Sequence, residues 1–122
     1  MDYFAKAYEL LKAWKGDAYT FGVGCLDKVG GIAAGFGKKA LLVSNTTYMK
    51  AVADEVEASL KAAGVEIVGG KIALDAKPNA PREDVYRLTT YVLQFQPDVI
   101  VAVGGGSTID ACKAASMLAT LG

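Results

Sequence analysis

The sequence predicts an α/β fold: a parallel β-sheet with helices on both faces. Three observations predict it. Two short runs, Lys39–Ser44 (KALLVS) and residues 98–103 (DVIVAV), have nearly continuous apolar centres, as strands covered on both faces by helices do. Other stretches place apolar residues three and four apart, the period of an amphipathic helix. The two kinds of segment alternate along the chain, and parallel strands joined by helical crossovers produce that order.

Taken in order, Asp2 is placed to cap a first helix with Phe4, Tyr8 and Leu11 on one face, ended by Gly16 and Asp17. Residues 18–23 (AYTFGV) read as a short strand. Residues 27–36 read as a helix of small residues, weakened by Gly30 and Gly31. After KALLVS, a helix carries Met49, Val52, Val56, Leu60 and Ala63 on one stripe and stops at Gly64. Residues 65–68 and 71–74 form a strand interrupted at Gly69-Gly70, and residues 76–81 (AKPNAP) a loop. Pro81 suits the first turn of the next helix, where Glu83 and Asp84 complement its positive end. Val85, Leu88, Val92 and Phe95 are its apolar face. DVIVAV follows as a second strand buried on both faces, then a turn at residues 104–106. The last helix is opened by Ser107 and runs to Gly122. The aromatics, Trp14 and Phe95 among them, fall at core spacing.

With 122 residues the chain has the length of one domain and can bury a sizeable core without disulfides. Thirteen basic residues balance thirteen acidic ones, which excludes binding nucleic acid or a membrane through a basic surface. Counting the fourteen glycines in place of the six tyrosines makes the apolar share about 58%, above the usual value of about 45–50%. The surplus suggests an apolar surface meant for a partner, a second copy of the chain included. There is no histidine, so a Ser-His-Asp triad and a histidine-ligated metal site are excluded within these residues. Cys25 and Cys112 form no C-x-x-C pair and read as reduced, buried thiols of a cytoplasmic protein. Residues 1–17 are charged throughout and do not read as a signal peptide. No run approaches the length of a membrane span.

Residues 101–110 (VAVGGGSTID) carry the strongest chemical signal. A buried strand ends in Gly104, Gly105 and Gly106, and a helix follows. Glycines let backbone N–H groups approach a ligand unobstructed, and a helix start adds unpaired donors and partial positive charge. Together they suit a diphosphate. The alternative is structural: Ser107-x-x-Asp110 fits a capping box, and glycines permit tight strand–helix packing. Asn45, just past KALLVS, is placed to hydrogen-bond a ribose hydroxyl or to cap the next helix, as Thr46 also is. Asn79, between Pro78 and Pro81, presents an amide to a ligand or makes a local turn. Gly35-x-Gly37-x-x-Ala40 matches a dinucleotide fingerprint in letters only, since it precedes its strand instead of following one. No Walker A pattern is present. Cys112 reads as packing, and Glu55, Glu57 and Lys61 as a solvated helix face.

Three stretches in this order resemble one family: FGVG with KKALLVSN (21–24 and 38–45), KPNAPREDV (77–85) and DVIVAVGGGSTIDACKA (98–114). The chain resembles, over residues 18–122, the N-terminal cofactor-binding domain of the iron-containing (group III) alcohol dehydrogenases, relatives of glycerol dehydrogenase and dehydroquinate synthase. The resemblance implies a Rossmann-like, dehydroquinate synthase-like N-terminal domain that binds NAD or NADP. It implies that Gly104, Gly105, Gly106 and Ser107 hold the pyrophosphate, that Asp110 supports that turn and that Asn79 lies beside the cofactor. Asn45 stands where NAD-dependent members often have an acidic residue for the adenosine ribose; an amide does not repel a 2′-phosphate, so NADP fits as well. Family members carry a second, helical domain whose Asp and three His hold Fe2+ or Zn2+, which polarises the alcohol for hydride transfer. That domain is absent from these 122 residues, so the expectation is one NAD(P)-binding domain, with no catalytic or metal-ligating residue, inactive alone. The competing expectations are a stand-alone nucleotide- or phosphate-binding regulatory module and a flavodoxin- or receiver-like domain. The receiver version is disfavoured because no acidic cluster follows the strands.

Overall fold

Strand β1 (Lys39–Ser44) lies at the centre of the sheet because its side chains are apolar on both faces: residues 40–44 are all buried. The computed structural model describes residues 2–121, so the expected helix end at Gly122 falls outside it. Two strands flank β1, both parallel to it: β2 (Glu66–Ile67) on one side and β3 (Val99–Val103) on the other. Among the described residues there are five α-helices: α1 (Tyr3–Lys15), α2 (Val29–Ala34), α3 (Lys50–Ala62), α4 (Arg82–Phe95) and α5 (Gly106–Leu121).

Alternate residues of β1 serve two cores. Ala40 and Leu42 meet Ala33 of α2 and Val56 and Leu60 of α3. Leu41 and Val43 face the opposite way, onto Leu88 of α4 and Ala111, Cys112 and Ala115 of α5. The sheet is thus covered on both faces, and the expected α/β class holds. Phe95 is partly buried against the second core. Ala63, expected on the buried stripe of α3, is exposed just past the helix end.

Several expected elements differ. Residues 18–23 form no strand: the chain makes a 3-10 turn at Gly16–Ala18 and then runs irregularly. Phe21 instead turns its ring to α1, with centroids 5.4 Å from Phe4 and 5.3 Å from Tyr8. Asp2 caps α1 as expected, accepting from the N–H groups of Phe4 (3.0 Å) and Ala5 (3.1 Å). Yet α1 buries none of its residues, and Trp14, expected in the core, is 72% exposed.

Residues 71–74 are not a strand either. Gly69 and Gly70 both take left-handed backbone angles (φ 72° and 65°), which breaks the ladder after β2. One backbone bond survives beyond them, from Ser44 N–H to Ala73 O (3.1 Å).

β3 is less buried than its sequence suggests. Val101 and Val103 are buried, but Val99, Ile100 and Ala102 are only half-buried. Among the described residues β3 pairs with β1 alone, and a groove of about 710 Å3 runs along its outer side, lined in part by Ile100, Ile109, Lys113 and Met117. No helix is long and apolar enough to cross a membrane among the described residues.

Both cysteines are free; Cys112 is buried and Cys25 only half-buried. Cys25 Sγ donates to Gly22 O (3.2 Å). Burial pushes the Cys112 thiol up to about 11. An acid whose folded value is raised stabilises the fold while protonated and loses that contribution as pH climbs from its unfolded value, about 8.5, through about 11. The urea midpoint is therefore expected to fall over that range. A Cys112→Ala chain, measured in parallel, shows a shallower decline.

Candidate functional site

The carboxyl ends of β1 and β3 stop level with each other, since Ser44 pairs with Val103. Asn45 and Gly104 therefore leave the sheet side by side. The loop before α4 is drawn to the same edge by two hydrogen bonds to α5. Ala76 N–H donates to the buried Thr108 Oγ1 (3.4 Å), and Asn79 N–H donates to Ser107 Oγ (3.0 Å). The three segments singled out from the sequence meet at one end of the sheet, where open α/β sheets bind ligands.

The three glycines are not equivalent. A Cβ on Gly104 would lie 2.9 Å from Thr108 Oγ1 and 3.0 Å from Thr108 Cβ. Glycine is needed there so that α5 can close on its strand. A Cβ on Gly105 or Gly106 would have no heavy atom within 4 Å, and neither residue has left-handed backbone angles. Both are exposed. Packing and conformation thus leave these two positions free to carry side chains, and they carry none.

Helix α5 begins at Gly106, with Ile109 N–H donating to Gly105 O (3.1 Å). Ser107 therefore sits inside the first turn and not ahead of it, so it neither opens the helix nor forms a capping box with Asp110. Its Oγ accepts from Asn79, which leaves the hydroxyl hydrogen as the group's own donor. Asp110 is exposed on the same first turns.

Asn45 is half-buried. Its Oδ1 accepts from the N–H groups of Thr47 (2.7 Å) and Tyr48 (3.1 Å), so it caps the turn that precedes α3. The amide NH2, a donor, is what remains for a ligand. Asn79 is exposed in a left-handed conformation (φ 67°), and Ala80 beside it is left-handed too (φ 49°). Its main-chain N–H, not its side chain, makes the tie to Ser107.

The letter match at residues 35–40 has a structural cause. A Cβ on Gly37 would lie 2.4 Å from Asp98 Cβ. Asp98 Oδ2 accepts from Lys38 N–H (2.9 Å) and Lys39 N–H (3.1 Å). These two bonds hold its carboxyl below the usual range and pin the start of β1 beside that of β3.

Residues 17–121 match the family described as iron-containing alcohol dehydrogenase. The chain belongs to that family. It is 38% identical over 96 residues to an NADPH-dependent butanol dehydrogenase of Clostridium saccharobutylicum, covering 77% of this chain and 23% of that protein. It is 39% identical over 101 residues to a choline dehydrogenase of Bacillus subtilis, covering 81% and 24%. Among solved structures, it superposes on an archaeal halo-thermophilic alcohol dehydrogenase from a Red Sea brine pool with a TM-score of 0.69, at 36% identity, covering 79% of this chain and 24% of the other. NADH-dependent butanol dehydrogenase A of Thermotoga maritima gives 0.69 at 31% identity, covering 79% and 24%. This iron-containing alcohol dehydrogenase family chain thus spans about a quarter of the length of these relatives. Residues 2–16, including α1, lie outside the family match.

For an iron-containing alcohol dehydrogenase, metal is the implied group that these residues do not fit. The chain has no histidine, and among the described residues no three His, Cys, Asp or Glu side chains are grouped to hold an ion. Gly105 and Gly106, exposed and with open space where a Cβ would stand, leave backbone that a diphosphate group could approach.

Reading the sequence missed Thr108, which lies against Gly104, and the pair Asp84 and Arg87. Asp84 Oδ2 accepts from Lys77 N–H (2.9 Å), and Arg87 donates to Asp84 Oδ1 (3.2 Å). The Lys77 N–H, then Arg87, hold the Asp84 carboxyl below its ordinary value. Opposite charges three apart at a helix start are the visible trace of that pair.

Proposed function

We propose that this chain is the NAD(P)-binding part of an iron-type alcohol dehydrogenase, an oxidoreductase that moves hydride between an alcohol and a nicotinamide ring. The observation that carries the proposal is the pair of glycines at the start of α5 that nothing in the fold requires. In this reading the N–H groups of Gly105, Gly106 and Ser107 bind the pyrophosphate, helped by the helix's positive end and the Ser107 hydroxyl. Gly104 lets α5 close onto β3, and Asp110 steadies the turn. Asn79 lies beside the cofactor, and Asn45 faces the adenosine ribose with its NH2.

The 122 residues act as one domain in this proposal, with metal and alcohol chemistry carried by sequence that the longer relatives possess. The two free thiols accord with a cytoplasmic setting, and the exposed apolar groove along β3 with association to a second copy.

Calorimetric titration of the purified chain tests the proposal. NAD+ or NADP+ binds, inorganic phosphate binds far more weakly, and no alcohol is oxidised. Absence of dinucleotide binding at millimolar concentration overturns it. Phosphate binding as well as a dinucleotide would favour a phosphate-binding regulatory module instead.

Asn45 supplies the cofactor test. Aspartate keeps an acceptor for Thr47 and Tyr48 N–H while adding a negative charge. Asn45→Asp is expected to lower the NADP+/NAD+ affinity ratio about fivefold, the size of one partly screened like-charge contact. Paired titrations of the two cofactors read that ratio.

A further inference from the structure

The loop that meets Ser107 is held along its length by two side chains of α4. Arg87 Nη1 donates to Leu74 O (2.9 Å), and Nη2 donates to Asp75 O (2.9 Å) and to Asp84 Oδ1 (3.2 Å). Asp84 Oδ2 takes Lys77 N–H (2.9 Å). Thr108 takes Ala76 N–H and Ser107 takes Asn79 N–H. Carbonyls 74 and 75 and amides 76, 77 and 79 are thereby all engaged.

The loop needs this restraint. Asn79 and Ala80 are consecutive non-glycine residues with left-handed angles (φ 67° and 49°). Asn tolerates such an angle, but an Ala in it is unfavourable and persists where the surroundings hold it. Asn79 takes its left-handed angle where its N–H reaches Ser107 Oγ. The Arg87–Asp84 pair is itself only partly exposed, with side-chain accessibilities of 30% and 14%, and a guanidinium fork suits two adjacent carbonyls as a lysine does not.

We infer that Arg87 and Asp84 are positioning residues for the dinucleotide. By fixing residues 74–79 they keep Asn79 N–H on Ser107 Oγ, which commits the Ser107 lone pair to the loop and its proton to the phosphate. A donor that accepts one hydrogen bond donates the next more strongly. The inference rests on the dinucleotide reading of the site and adds to it two residues that do not touch the cofactor.

A double-mutant cycle tests it. The 122-residue chain, Arg87→Met, Ser107→Ala and the double variant are titrated with whichever of NAD+ and NADP+ the unaltered chain binds, with thermal midpoints recorded in parallel. Arg87→Met is expected to weaken binding about tenfold, the size of one lost charge-assisted hydrogen bond. In the Ser107→Ala background the same substitution is expected to change affinity less than twofold, because its effect runs through that hydroxyl. A loop that matters only to stability lowers the midpoint equally in both backgrounds and shows no such coupling. Should Arg87→Met fail to fold, Asp84→Asn, which removes one of two acceptors, replaces it in the cycle. Additive effects on affinity overturn the inference and leave the dinucleotide reading standing. No binding by the unaltered chain overturns both.

Discussion

Gly106→Ala is expected to leave the chain as stable as before, or slightly more so, while costing it a factor of about 10–100 in dinucleotide affinity. The stability half follows from geometry. A Cβ at this position meets nothing within 4 Å, its backbone angles are open to any residue, and it is the first residue of α5. Alanine is a better helix former than glycine. The binding half follows from what occupies that open space. If a pyrophosphate rests on the amides there, a methyl group holds it off, and losing one charge-assisted backbone bond costs about 1.5–3 kcal/mol. Gly104→Ala makes the control. Its new methyl meets Thr108, which is buried and already holds Ala76 N–H, so the contact is relieved only by moving the helix or breaking that bond. The expected cost is about 1–3 kcal/mol of stability. Urea denaturation beside calorimetric titration separates the two outcomes. Equal affinity in Gly106→Ala and the unaltered chain removes the physical basis of the cofactor assignment.

Gly30→Ala is expected to destabilise the fold by at least ~2 kcal/mol, and Gly31→Ala to stabilise it by up to ~1 kcal/mol. The two glycines are neighbours in one short helix, yet a Cβ on Gly30 would lie 2.1 Å from Ser59 O and one on Gly31 would touch nothing. Helices α2 and α3 approach so closely at Gly30 that its N–H donates to Ser59 Oγ (2.9 Å), which in turn donates to Asp27 O. Backbone cannot yield as a side chain does, so the helices must separate, opening the core around Ala33, Val56 and Leu60. Denaturation midpoints of the two variants, measured side by side, are expected to move in opposite directions. A Gly30→Ala midpoint within error of the unaltered chain would contradict the helix contact.

These two pairs show how far the residues alone reach. Gly30 and Gly31 look alike in sequence, as weak points of a helix; the reason for Gly30 sits on another helix, 29 residues away. KALLVS reads correctly because a central strand needs apolar residues at every position, whichever way they point. VIVAV is wholly apolar, yet among the described residues it lies at the edge of the sheet, because composition records an affinity for burial and not the number of neighbours present. AYTFGV has good strand formers but no strand to pair with, and Phe21 finds α1 instead. At the site, the convergence of the three loops was legible from the alternation of elements. The division of labour among the glycines was not, because only Gly104 has Thr108 above it. The spacing of Arg87 from Asp84 shows one of its partners, but the others are carbonyls 12 and 13 residues upstream in an irregular loop, which no helical spacing reveals.

Helix α1 meets the ring of Phe21 through Phe4 and Tyr8 and hides no residue of its own. Its departure from the rest requires little apolar surface to be rewetted, so it should peel away well before the sheet melts. A protease offered the native protein would then trim the amino end first and stall near residue 17, where the part shared with the longer dehydrogenases begins.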